Sequence, residues 1–159
     1  MTATTLLSLF DEDIGNASQL LELIDSELEA LNTNDLPRLQ TLLNQKQPLL
    51  ALLAQHATQR SQLLAAEQFS PDREGLMAFA ARSEARGESG SLLLEKSARL
   101  TSLIEQCQTA NLRNGRLIKA SQVSTGQMVK ILRGSDTPTL YDSRGTAAKI
   151  GHQRPISQA

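Results

Sequence analysis

Few side chains in this 159-residue sequence could do covalent or metal chemistry: one cysteine, Cys107, two histidines, His56 and His152, and one tyrosine, Tyr141. A catalytic centre or a metal site needs several such groups converging on one point. The two histidines lie in different places, one on a helical stretch and one near the C-terminus. His56 reads as a helix-face or boundary residue. Cys107 follows Ile104 on an apolar seam and reads as a small buried hydrophobe. The acid triplet Asp11, Glu12 and Asp13 reads as a solvated face rather than a general acid and base. There is no Gly-rich phosphate loop, no nucleophile elbow and no Glu-x-x-His pair of the di-iron bundles. We therefore expect no catalytic residue, no metal and no cofactor.

Binding chemistry is better represented. In "CQTANLRNGRLIKASQ", residues 107–122, Asn111 and Asn114 are three apart and share a helix face. Gly115 follows, and an interior glycine weakens a helix by ~1 kcal/mol relative to alanine. One reading is that the asparagines set register across a helix pair while Gly115 permits close approach. The other is that the helix is weak here so that it can repack against a partner. On that reading Leu117, Ile118, Val123, Met128, Ile131 and Leu132 supply an underused apolar face for a docking helix. The second binding signal is Tyr141, placed among small, polar and charged residues in "TLYDSRGTAAKIG", 139–151. A ring and a hydroxyl suit an interface anchor.

The elements that position these residues are helices. Phe10, Ile14, Ala17, Leu21, Ile24, Leu28 and Leu31 step alternately by four and three, an a/d seam over residues 4–32. A second helix, 35–68, begins at Asn34 or Asp35 with Pro37 in its first turn. Leu36, Leu39, Leu43, Leu50, Leu53, Ala57 and Leu64 keep the stepping, and Lys46 and Arg60 occupy two seam positions. Pro48 is an interior fault. A short helix, 71–85, has Ser70 as its cap and Pro71 at its first position. Gly87, Gly90 and the nearby serines read as a flexible break. The last helix, 92–132, carries a seam that turns polar after Cys107, and Gly134 can end it. Residues 134–159 hold little to bury and read as a flexible tail. The fold class expected is all-α: an elongated antiparallel helical bundle or coiled-coil hairpin, a long last helix, a helical domain over 1–133 and a flexible C-terminal tail.

Composition agrees. Apolar residues are 40% of the chain and aromatics 3%, so Leu and Ala must pack it, which favours helices. The net charge of −1 argues against a general nucleic-acid binder. There is no basic leader and no run of about 18 apolar residues, so a soluble protein of a reducing compartment, without membrane insertion, is expected. Charge is unevenly placed: residues 1–37 hold eight acids and no Lys or Arg, while residues 106–135 hold five bases and no acid. That pattern signals intramolecular pairing, a partner, or both.

The leucine-rich first helix, "NQKQPLLALLAQ" at 44–55, "NLRNGRLI" at 111–118 and "TLYDSRG" at 139–145 together resemble the FlgN family of flagellar export chaperones. The likeness spans nearly the whole chain, and the last two runs are its more specific parts. Pro48 departs from the pattern and leaves open whether the second helix kinks or ends there. The resemblance implies a cytoplasmic chaperone without ATPase activity. Its clients would be hook–filament junction proteins of the FlgK and FlgL type, delivered to the flagellar type III export gate. Asn111, Asn114, Gly115 and the apolar face that follows would bind the client. Leu140, Tyr141, Asp142, Arg144 and Gly145 would form a docking element for client or gate. Two other classes remain open: a structural coiled-coil adaptor, whose stable dimer would depend on Met128 and Leu132, and an enzyme or metal-binding bundle. Weak self-association is compatible with the spare face.

Overall fold

The computed structural model describes residues 2–124, with side chains to residue 120. Four helices follow one another: α1 Thr2–Asn32, α2 Leu36–Ala66, α3 Arg73–Ala85 and α4 Gly90–Ser124. The described residues contain no strand. The chain divides after Gly115 into two units, and the packing below is that of the first, Met1–Gly115. The expected tail, 134–159, lies outside the described residues.

Within this unit α1 and α2 run antiparallel, since Asp13 meets Arg60 and Glu27 meets Lys46. α4 runs parallel to α1: Lys96 pairs with Asp11, Cys107 lies against Ala17, and Asn114 reaches Ile24. Leu6 and Phe10 of α1, Leu64 of α2, Leu76 and Phe79 of α3, and Leu93 and Leu100 of α4 form one apolar cluster. Leu20, Ile24, Leu49, Cys107 and Ala110 form a second.

The buried stripe of α1 is offset from the expected seam. Phe10, Ala17, Ile24 and Leu31 are buried as anticipated, but Ile14, Leu21 and Leu28 are half-buried, and Asp13, Leu20 and Glu27 take their places. The reason is geometric. α1 packs against two helices, so the centre of its contact arc lies between them rather than on the most apolar line. α2 shifts likewise, burying Leu42, Lys46, Leu49 and His56 along with Leu39 and Leu64. Asp13 is therefore not part of a solvated triplet. Asp11 and Glu12 are exposed, whereas Asp13 has no solvent access.

Two polar layers result. Asp13 accepts from the Arg60 guanidinium on one oxygen, and His56 Nδ1 lies 2.7 Å from the other. Arg60 also covers the Phe10 ring, with Cζ 4.9 Å from its centroid. Glu27 accepts twice from Lys46 Nζ, at 3.0 and 3.2 Å. Fourteen residues separate Asp13 from Glu27, and fourteen separate Lys46 from Arg60. In an antiparallel pair these spacings bring both carboxylates onto bases in a single register. A slide of one heptad in either direction would leave both acids without a base, and a slide of two would leave one. A buried charge without its partner costs several kcal/mol, so the layers select against those alternatives.

The corners are closed by local chemistry. α1 ends with Asn34 in the left-handed region, φ 55°, and Asp35 N–H donates to Ala30 O at 2.8 Å. Asp35 then caps α2, accepting from Arg38 N–H. Gln68, φ 71°, closes α2 with the same motif, Phe69 N–H donating to Leu64 O. α2 runs on through Pro48, which is exposed, so the carbonyl it leaves unpaired one turn back faces water. α3 starts later than expected. Asp72, not Ser70, is its cap, accepting from Gly75 N–H at 2.8 Å, while Ser70 donates its hydroxyl to Asp72. The Gly87–Gly90 stretch is a defined corner rather than a flexible break. Gly87 has φ +79°, and Glu88 N–H donates to Ser83 O. Gly90 opens α4 pressed on α3, where an added Cβ would sit 2.0 Å from Ala80 O. Nearby, Arg82 lies over Phe69 and Phe79 and pairs with Glu67, which also accepts from the Thr2 hydroxyl. The Arg82 hydrogen bond, then that of Thr2, hold the Glu67 carboxyl below its usual range.

Lys46→Met should lower unfolding free energy by ~3–5 kcal/mol in urea titrations, because Glu27 stays buried without its cation; the double variant Glu27→Leu/Lys46→Met should cost clearly less. Glu67 gives the acid dependence. Its folded pKa is depressed, so its contribution is present above the ordinary value of 4.5 and is lost as pH falls through the lower folded value. The melting-temperature gap between the native chain and Glu67→Gln should therefore be open near neutrality and close as the pH drops below 4.5.

Candidate functional site

The upper part of α4 carries the residues singled out for binding. Cys107 and Ala110 are buried on its inner face. Cys107 Sγ lies 3.6 Å from Ala17 O, and burial pushes its thiol pKa up, which fits a packing role rather than a nucleophile. Asn114 is 3% exposed. Its side-chain amide donates to Ile24 O at 2.9 Å and, at 3.5 Å, to Glu27 Oε1. Its own oxygen accepts from Arg113 Nε, and Arg113 reaches on to Asp25 at 3.0 Å. Asn114 thus joins the Glu27–Lys46 layer and ties α4 to α1. This matches the register reading of the asparagines. Asn111, on the same face, is half-buried.

Asn114 is the last fully buried residue of α4 among those with described side chains. Gly115, Leu117 and Ile118 are half-buried, and Arg116 and Lys119 are exposed. Leu112 is 57% exposed, the most open large apolar residue among those described. The helix continues to Ser124 and includes Val123, whose side chain is not described. Met128, Ile131, Leu132, Leu140, Tyr141, Asp142, Arg144, Gly145 and His152 lie outside the described residues.

The sequence reading missed the Asp13–His56–Arg60 group. Its signal was present as the equal fourteen-residue spacing of the acids on α1 and the bases on α2. Three titratable groups meet here, but Asp13 has both oxygens occupied and no access to solvent. The arrangement joins two helices and presents no open position to a substrate. Among the described residues no cluster of His, Cys, Asp and Glu could hold a metal ion, and no helix is long and apolar enough to cross a membrane. The charge asymmetry is resolved in part. Acids of α1 pair chiefly with α2, through Arg60, His56, Lys46 and Arg38, and with Lys96; of the late bases among the described residues, Arg113 joins them.

Two comparisons bear on identity. The family model described as FlgN protein matches residues 1–149. Among solved structures, the chain is similar to a protein from Pseudomonas aeruginosa assigned as flagella synthesis protein FlgN. The two share 48% identity with a TM-score of 0.65, over 81% of this chain and 96% of that one. No curated protein matches the sequence. A family match over nearly the whole length, with a relative of that identity, leads to one conclusion: the chain belongs to the FlgN family of flagellar export chaperones.

Proposed function

We propose that this chain is a cytoplasmic chaperone that holds hook–filament junction proteins of the FlgK and FlgL type and delivers them to the flagellar type III export gate. The observation that carries the reading is the course of α4. The helix is locked to α1 by Asn114 and runs on for ten residues with only half-buried or exposed side chains where these are described. A helix so prepared offers Leu117 and Ile118, with Val123, Met128, Ile131 and Leu132 further along the sequence, to an amphipathic client helix. Asn111 and Gly115 flank that surface, and Asn114 holds it in place. Ordering upon binding would lower affinity per unit area and so permit release at the gate. Leu140, Tyr141, Asp142, Arg144 and Gly145 would serve as the second contact, to client or gate.

The test is amide hydrogen exchange over residues 107–159, alone and with the C-terminal helical segment of a junction protein. New protection across 117–132 is expected. Protection that is complete without the client and unchanged on its addition would sink the reading in favour of a finished adaptor. Leu117→Asp/Ile118→Asp should weaken client binding at least about tenfold, the loss of ~1.4 kcal/mol or more, with circular dichroism retained. Asn114→Ala should destabilise the protein by ~1–3 kcal/mol, because Ile24 O and Glu27 lose a buried donor.

A further inference from the structure

We propose that Asn114–Gly115 is a self-modification site: the side-chain amide of Asn114 is lost as ammonia when α4 leaves α1, and the product does not re-dock. The inference stands apart from the chaperone reading and concerns the contact that holds α4.

The chemistry lies in the pair of residue types. Of Asn16, Asn32, Asn34, Asn44, Asn111 and Asn114, the last alone is followed by glycine. Glycine has no side chain to shield its amide nitrogen, and its backbone reaches conformations closed to other residues. In an open chain, hydroxide takes the Gly115 N–H proton and the nitrogen attacks Cγ of Asn114. The new N–C bond closes a cyclic imide. The bond from Cγ to Nδ2 breaks, and Nδ2 leaves as ammonia with a proton from water. Water then opens the imide at either carbonyl, giving an aspartate or the isomer in which the main chain runs through the side chain. The sum is amide plus water to carboxylate plus ammonium, with no oxidant, metal or enzyme required.

The docked helix withholds each part of this reaction. Both residues lie inside α4, where a backbone N–H is held by the carbonyl four residues back and points along the axis, away from its neighbour's side chain. Asn114 is 3% exposed. The atom that would leave, Nδ2, donates to Ile24 O at 2.9 Å and reaches Glu27 Oε1 at 3.5 Å, while Oδ1 accepts from Arg113 Nε. Gly115 weakens the helix at the same point. Protection of the bond therefore depends on the hold of α1 on α4.

The product lacks what that hold requires. One carboxylate oxygen could keep the Arg113 contact. The other would place an acceptor where Nδ2 donated, facing the Ile24 carbonyl and Glu27, whose own charge already takes the Lys46 ammonium. Burial of a carboxylate so placed is strongly disfavoured. The isomer also adds a methylene to the main chain and breaks the ladder of helical hydrogen bonds. A reversible opening of α4 thus becomes a lasting one.

The experiment follows conversion of Asn114 by peptide mapping and mass spectrometry in the full chain at mildly alkaline pH, folded and in urea above the unfolding midpoint. Conversion should be at least about tenfold slower in the folded chain, a factor well within the range of local opening equilibria. Below the midpoint, added urea should speed conversion in step with hydrogen exchange of the Gly115 amide. In urea, Gly115→Ala should slow it by about tenfold or more. Converted chain, separated by ion exchange and returned to native buffer, should exchange about tenfold faster over 107–115 than the native chain, and Asn114→Asp should do the same. Equal conversion in folded and unfolded chain would overturn the proposal, since docking would not govern the chemistry. Full protection of 107–115 in the converted chain would overturn it too. So would an intact Asn114 in folded chain whose Gly115 amide exchanges rapidly.

Discussion

Two carboxylates buried in the middle of α1 set the arrangement of the first unit. Asp13 and Glu27 sit where a leucine would be expected in a helical hairpin, and each is neutralised by a base from α2. Such pairs add little net stability relative to a well-packed apolar core. What they supply is discrimination. Leucine-rich seams slide past one another at modest cost, because one Leu–Leu contact resembles the next. Charges at matched spacing remove that degeneracy, as a buried polar residue does in a coiled coil.

The same layer extends to the third long helix. Asn114 donates to Ile24 O and to Glu27, which is already held by Lys46. The position of α4 on α1 is therefore coupled to the register of the hairpin. Cys107 and Ala110 fill the space below it with small side chains, which allow close packing against Ala17 and Leu20. Up to Gly115, α4 thus inherits its placement on α1 from an ion pair between α1 and α2.

Much of this was legible in the residues. The 3–4 stepping of Leu and Ile gave three long helices, and Asp35 with Pro37 gave the start of α2. The paired asparagines pointed to a register contact, and Asn114 makes one. Other readings failed for identifiable reasons. Asp13 looked solvated because it stands in an acid triplet, yet a single turn of helix carries its neighbours to water and Asp13 to the core. The α1 seam was placed one residue off at alternate steps, because apolarity alone does not tell which of two adjacent lines faces inward when two helices pack on one. Ser70 looked like the cap of α3, but its hydroxyl serves Asp72, the stronger acceptor.

The sequence by itself determined the helical class, the approximate extents of the helices and the family likeness. These follow from local periodicity, capping chemistry and composition, which act between residues close along the chain. Only the tertiary structure decided which acids are buried, which bases answer them and which of the two asparagines holds α4. Those contacts span 43 to 90 residues for Asp13–His56 and Asn114–Ile24. They depend on how three helices rotate about their own axes, and that rotation is set by the sum of all the packing rather than by any one stretch of residues.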